Sequence, residues 1–390
     1  MMEKNKKKIL FSIDTLLVGG IEKVLIELLS NISKEKYEIT LLIGYKLNEL
    51  EKLKEDIPMN IKIEYIFKEN IHILGKKKKA MGNLKGYEKI IFEITSLLRK
   101  KIFKKRLLKI VEKVDTVVDF DMTLASYAKD ISKNIITFCH FSPKNYNRGI
   151  KKRQERLGEK LKNYNKIVVI SKDMEKEGIE IFPFLKEKFI TIYNSFNIDL
   201  IERKSNLIKE DELNLIKKPY ILSIGRLEET QKDFTTLIKA FSKVSNNIKE
   251  NLYIIGEGRH KDNLKKLVKD LQIEDRVLFL GFKNNPYPWI KNSSFFVHSS
   301  KFEGLPTVLI EASILGKAIV STDCPTGPRE ILENGNCGLL VDVGDVEKLA
   351  ENIKYLSQNL EVRQKYGELA KNESKRFDSK EIVKIVERLF

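Results

Sequence analysis

Thirteen short apolar runs, spaced along the whole chain by longer amphipathic stretches, constrain this sequence more than any other feature. In the first half they are KILFSID (8–14), YEITLLIG (37–44), IKIEYIF (61–67), TVVDFD (116–121), IITFCH (135–140), KIVVIS (166–171) and FITIYNS (189–195). In the second half they are YILSIG (220–225), LYIIGEG (252–258), VLFLGF (277–282), SFFVHSS (294–300), AIVSTD (318–323) and GLLVDV (338–343). Most are near-continuous and rich in Val, Ile and Phe, the pattern of strands buried on both faces of a parallel sheet. Helical periodicity lies between them, as at 84–98, where Leu84, Tyr87, Ile91, Ile94 and Leu98 fall on one predicted face. Repeated β-α units predict α/β architecture, and thirteen strands are too many for one ordinary sheet. The expectation is two Rossmann-like, doubly wound domains facing a cleft.

At 390 residues the length suits two domains. The predicted division is an N-terminal domain over 1–196, a polar linker over 197–218, a C-terminal domain over 219–378, and a last helix, 379–390, returning to the first domain. The opening residues imitate a secretory leader, with a basic head before an apolar stretch, but Asp14 interrupts that stretch and no small-residue cleavage site follows. A buried strand running into a glycine turn is the better reading. Three cysteines, Cys139, Cys324 and Cys337, are an odd, sparse set without CxxC spacing, which argues for a reducing compartment and against a disulfide framework.

The net charge of +17 is concentrated. Residues 76–109 carry 13 Lys/Arg against 2 Asp/Glu, and residues 144–166 carry 9 against 2. These clusters suit an anionic surface such as lipid headgroups. They lack the interleaved aromatics of a nucleic-acid-binding motif, so no nucleic-acid partner is expected.

In open α/β sheets ligands gather beyond the carboxyl ends of the strands, so the residues there carry the functional information. After the first strand, Gly19 and Gly20 precede a helix opened by Glu22, a possible anion site. After YILSIG, Gly225 leads to Arg226 and Lys232, two cations able to grip a diphosphate. Glu257 sits between Gly256 and Gly258, where bare backbone suits a flat base. In SSKFEGLPTVLIEAS (299–313), Glu303 falls in a loop and Glu311 about 7 Å further along a helix predicted over 306–315. That separation excludes a proton-sharing dyad. It allows two carboxylates to hold two ends of one elongated ligand, with the helix amino end, at Gly304, Leu305, Pro306, Thr307 and Val308, between them. His140 ends the strand IITFCH and is expected to face the cleft. No His/Cys/Asp cluster has metal-ligand spacing, and neither a metal nor another cofactor is expected.

The ordered set GG-I-E (19–22), GR-x5-K (225–232), GEG (256–258), E-x7-E (303–311) and GKAIVSTD (316–323) resembles glycosyltransferase family 4, the retaining nucleotide-sugar enzymes of the GT-B fold. The stretch STDCPTGPREILENGNCGLLV (321–341) is similar to the subgroup that builds bacterial surface polysaccharides and lipopolysaccharide. The resemblance implies that Glu311 binds the ribose, Glu303 the transferred sugar, and Arg226 and Lys232 the diphosphate. Gly20 and the amides near Thr307 and Val308 would complete the phosphate cradle, with His140 beside the sugar. It also implies a UDP-sugar donor, a glycan or lipid-linked acceptor recognised by the N-terminal domain, and a cytoplasmic setting at the inner face of the membrane. The sequence departs from the family's usual E-G-F-G at Leu305 and Pro306, and has Asp233 where Gly or Asn is common. A nucleotide-sugar epimerase or a phosphorylase on the same fold, and a basic nucleic-acid-binding protein, are the alternatives.

Overall fold

The computed structural model describes residues 6–17, 19–68, 75, 76, 78, 86–144 and 150–390, the side chains of Tyr87, Lys89, Ile91 and Glu93 excepted. Val18, Leu84 and parts of both basic clusters (77, 79–85 and 145–149) therefore lie outside the described residues. The chain divides into two compact units: one comprises 1–170, 174–195 and 382–390, the other 171–173 and 196–381.

All thirteen apolar runs form strands. In the first unit they are β1 (Lys7–Ile13), β2 (Tyr37–Tyr45), β3 (Lys62–Phe67), β4 (Thr116–Asp119), β5 (Asn134–Cys139), β6 (Lys166–Val169) and β7 (Phe189–Thr191). They pair in parallel in the order β3-β2-β1-β4-β5-β6-β7. The second unit holds β8 (Tyr220–Ile224), β9 (Asn251–Ile255), β10 (Val277–Gly281), β11 (Phe295–His298), β12 (Ile319–Thr322) and β13 (Leu339–Val341). These too are parallel, in the order β10-β9-β8-β11-β12-β13. The order reverses between β1 and β4 in one sheet and between β8 and β11 in the other. Each reversal leaves two neighbouring strands whose connections run to opposite faces, and this opens a crevice at their carboxyl ends.

Most strands are largely apolar, as strands covered by helices on both faces are. Ile9, Phe11, Leu41, Val118 and Ile136 are buried in the first unit, and Ile221, Leu252, Ile254, Phe295 and Val320 in the second. The end of the helix Ser379–Glu387 returns to the first unit, where Ile382, Val383 and Val386 join the core. Phe390 then sets its ring edge-on against Phe11 and Tyr37, with centroids 5.9 and 5.1 Å away. Residues 197–218, expected as a linker, instead fold onto the second unit. Asn197 caps the helix Ile198–Lys204 by accepting from the Leu200 amide at 2.9 Å, and Glu202 of that helix pairs with Lys371 at 2.7 Å. The capping Asn and the alternation of Ile198 and Ile201 with charged residues account for the helix. The three cysteines are buried and unpaired.

Of the stripe predicted over 84–98, Leu84 and the side chains of Tyr87 and Ile91 lie outside the described residues. Helices form over Gly86–Ile94 and Ser96–Val111, but Ile94 and Leu98 are 71% and 57% exposed. The inward face is a different one, carrying Arg99, Phe103, Leu107 and Val111. Arg99 is buried at the break between the helices, donating to the Phe92 carbonyl and the Thr95 hydroxyl, with its guanidinium 3.9 Å from the Phe92 ring.

Asp119, at the end of β4, is fully buried. One carboxylate oxygen accepts from the Tyr164 hydroxyl and, at 3.0 Å, from the Leu124 amide; the other has no protein partner among the described residues. Burial, reinforced by Asp121, raises its carboxyl well above the usual range. A carboxyl raised in the folded state stabilises the fold below its unfolded value, and that contribution is lost as pH rises toward the folded value. Asp119→Asn keeps the acceptor and removes the buried charge. Its melting temperature should therefore equal or exceed that of the parent at pH 8, with the difference shrinking toward pH 4, by about 1.4 kcal/mol per pH unit within the window. Thermal unfolding across that range checks this; a variant equally destabilised at every pH would contradict it.

Candidate functional site

The richest cluster of polar side chains stands at the strand reversal of the second unit, in the loops after β8 and β11. The β8 loop is pressed against the loop after β9. Gly256 has φ +148°, and a Cβ there would lie 1.9 Å from the Gly225 carbonyl oxygen; one at Gly258 would lie 2.4 Å from that of Leu227. Only glycine fits so close a backbone approach. The Leu227 amide seals it, donating to the Glu257 carbonyl at 3.0 Å. On its other side the β8 loop is stitched to the β11 loop. The Asp233 amide donates to the Ser299 carbonyl at 3.0 Å, and the Ser299 hydroxyl donates back to the Asp233 carbonyl at 2.7 Å. The Asp233 carboxylate caps the helix Phe234–Val244, accepting from the Thr236 hydroxyl at 2.7 Å and its amide at 3.4 Å. That cap accounts for aspartate where the resembled family commonly has Gly or Asn.

This stitching delivers Lys232 to Glu303. The Lys232 ammonium donates to Glu303 Oε1, and both side chains are largely buried. Glu303 Oε1 also accepts from the Ser300 hydroxyl at 2.7 Å and lies 3.4 Å from His298 Nε2. Glu303 Oε2 accepts from Gln231 Nε2 at 3.2 Å, and Gln231 Oε1 accepts in turn from Arg226 at 3.3 Å. Arg226, Gln231, Glu303 and Lys232 thus form one chain, running from an exposed guanidinium to a buried carboxylate. Burial alone would raise the Glu303 carboxyl, but the Lys232 ammonium and the His298 ring outweigh it and hold the group far below the ordinary carboxylate range. His298 moves the other way. Burial, despite its bond to Glu303, pushes its pKa down, so at neutral pH the ring is uncharged, with Nδ1 3.1 Å from the Ser321 hydroxyl.

The backbone of Glu303 is clamped as well. Its amide donates to the Pro325 carbonyl at 3.1 Å, and its carbonyl accepts from the Thr326 hydroxyl. Gly327 (φ +95°) lies so near this loop that a Cβ would come within 2.5 Å of Pro306 and 2.8 Å of the Gly304 carbonyl oxygen. Loop 324–328 thereby fixes Gly304, Leu305 and Pro306. Pro306 is the N-cap of the helix Thr307–Ile314, which begins one residue later than expected. The amides of Thr307 and Val308 lie in its first turn, where no intrahelical partner exists. Glu311 is buried within the helix, its carboxylate 3.4 Å from the Tyr287 hydroxyl. Glu257 is half-exposed and bonded to Lys261 at 2.8 Å.

Gly19, Gly20 and His140 belong to the first unit. Gly19 is the extended N-cap of the helix Gly20–Asn31. A Cβ on Gly20 would meet nothing within 4 Å, so packing does not require glycine there. His140 follows β5 and lies against Phe120 and Phe138, with centroids 4.8 and 6.2 Å away. Burial lowers its pKa to about 4, and its Nε2 has no protein partner among the described residues. It too is neutral at pH 7.

Sequence reasoning missed His298, Ser300, Gln231 and Thr326. The signal for two of them was present. His298 and Ser300 alternate at the end of a strand that leads into Glu303, and alternate strand residues share a face. Gln231 and Thr326 act through loop geometry that no periodicity announces.

Residues 205–373 match the family described as Glycosyl transferases group 1. Among curated relatives, the chain is 35% identical over 214 residues to N-acetylgalactosamine-N,N'-diacetylbacillosaminyl-diphospho-undecaprenol 4-alpha-N-acetylgalactosaminyltransferase of Campylobacter jejuni; this covers 55% of the chain and about half, 56%, of the relative. It is 28% identical over 350 residues to an uncharacterized glycosyltransferase of Haemophilus influenzae, covering 88% of each. Among solved structures, Anabaena Alr3699/HepE in complex with UDP and glucose superposes with a TM-score of 0.78 at 17% identity, covering 98% of both chains. At that identity the likeness speaks for the fold: two Rossmann-like α/β domains.

Proposed function

We propose that this chain is a retaining glycosyltransferase of family 4. In this reading it moves a hexosyl or N-acetylhexosaminyl group from a nucleotide diphosphate sugar, a UDP-sugar in the first instance, to a lipid-linked or lipopolysaccharide-type glycan. The observation that carries the reading is the Arg226–Gln231–Glu303–Lys232 chain at the strand reversal of the second unit. Breaking a sugar–diphosphate bond builds negative charge on the departing phosphate, and cations already in place stabilise it without reorganising. Arg226 and Lys232 take that role, assisted by the amides of Thr307 and Val308. Glu303, kept ionised, accepts hydrogen bonds from hydroxyls of the transferred sugar, and Glu311 from the ribose. Two side-chain cations supply the neutralisation that a divalent ion gives in other phosphate-transfer sites, so no metal is assigned a part. Support for the acceptor class comes from the Campylobacter relative, named for a diphospho-undecaprenol acceptor.

The test is transfer from a panel of UDP-, GDP- and ADP-sugars to a polyprenyl-diphosphate-linked glycan. The expected result is one preferred donor, a product with the donor's anomeric configuration, and a rate unchanged by EDTA. Inversion at the anomeric carbon, or interconversion of the donor sugar without acceptor, would overturn the assignment.

A further inference from the structure

The helices Gly86–Ile94 and Ser96–Val111 carry an outward face that the proposed chemistry does not use. Four large aliphatic side chains within nine residues are exposed: Ile90 (59%), Ile94 (71%), Leu97 (70%) and Leu98 (57%). Steps of three and four residues continue this face into Lys101 and Lys105, both exposed, with Lys100 exposed at its margin. The opposite face is held in the first unit by Phe103, Leu107 and Val111, and Arg106 anchors it further through the Ile66 carbonyl at 2.6 Å. The outward face is therefore fixed in orientation, apolar at one end and cationic at the other. Most other exposed large apolar residues among those described stand singly along the chain, which is ordinary for a surface; a contiguous group needs an explanation.

We propose that this face seats the protein on an anionic phospholipid surface, with Ile90, Ile94, Leu97 and Leu98 entering the acyl boundary and Lys100, Lys101 and Lys105 at the phosphates. Charge chooses the occupant. Residues 90–111 carry seven Lys/Arg against one acid, Glu93, so a second copy of the face offers little counter-charge, whereas anionic headgroups supply it. An apolar face bordered by lysines is the pattern of a helix lying in the interface, and no described helix is long and apolar enough to cross a membrane. The inference extends the lipid-linked acceptor reading but does not depend on it.

The test is co-sedimentation of the full chain, without donor or acceptor, with vesicles of phosphatidylcholine alone or with about one third phosphatidylglycerol. Binding is expected to the anionic vesicles and to weaken with salt. Lys100→Glu/Lys101→Glu/Lys105→Glu should reduce it at least about a hundredfold. Leu97→Ser/Leu98→Ser should reduce it about tenfold or more with no change in far-ultraviolet circular dichroism. Arg226→Ala, expected to keep the parent's stability and lose sugar transfer, should sediment as the parent does, which separates failure here from failure of the catalytic reading. Three results would overturn the proposal: no sedimentation with either vesicle, binding indifferent to both sets of substitutions, or a dimer in solution that Leu97→Ser/Leu98→Ser dissolves.

Discussion

Lys232→Ala should abolish measurable sugar transfer and also lower the melting temperature, on the order of ten degrees. The two effects have one origin. Glu303 is 8% exposed, and Lys232 is its charged partner. Removing one member of a buried pair leaves the other as an uncompensated charge, at a cost of about 3–5 kcal/mol. The pH dependence identifies the cause. In the parent, the depressed Glu303 carboxyl gives stability that is present above its unfolded value, near pH 4 to 5, and is lost as pH falls below it. In the variant, burial acts without the ammonium, so the carboxyl is raised, and the variant loses stability as pH rises. The gap between the proteins should therefore be widest at neutral pH and narrow in acid. Adding Glu303→Gln to Lys232→Ala should recover much of the stability at pH 7 and none of the transfer. Such recovery marks direct coupling in a double-mutant cycle. A Lys232→Ala protein that melts with the parent at pH 7 would show that the pair does not form.

Which parts of this arrangement were legible beforehand follows from the range of the forces involved. Strands buried on both faces announce themselves as apolar runs, because the requirement is local and repeated, and all thirteen could be read. Arg226, Lys232 and Glu303 could be read as charged residues after strands, since the fold places ligands there. Their mutual bonds could not. Lys232 reaches Glu303 only because Asp233 and Ser299 exchange hydrogen bonds between two loops 66 residues apart in sequence. Glycine spacing was informative but its reason was hidden: Gly256 is there for the Gly225 carbonyl, in addition to any ligand. The helix near residue 94 shows the opposite failure. Periodicity grouped Ile94 and Leu98 on one face but carries no information on which way that face looks, and both are exposed. The inward face is instead built around Phe103 and Leu107, with Arg99 filling the break.

Arg226→Ala should cut turnover a hundred- to thousandfold while leaving stability within about half a kilocalorie of the parent. Arg226 is exposed, and among the described residues its side chain makes one hydrogen bond, 3.3 Å, to Gln231. Little folding energy can reside there, in contrast to Lys232, so loss of activity without loss of stability is a clean readout of function. The split between kinetic constants then reports what the guanidinium does. If it stabilises charge that develops only as the sugar–phosphate bond breaks, kcat and kcat/KM fall together; if it merely holds the donor, KM rises and kcat stays. The first pattern is expected, because the guanidinium is exposed and, among the described residues, its side-chain partner is the Gln231 amide and not a carboxylate. Arg226→Lys should recover a minor part of the rate, since it restores the charge but not the paired donors. Near-normal transfer by a folded Arg226→Ala protein would remove the guanidinium from the mechanism and leave Lys232 as the sole side-chain cation assigned to the phosphate.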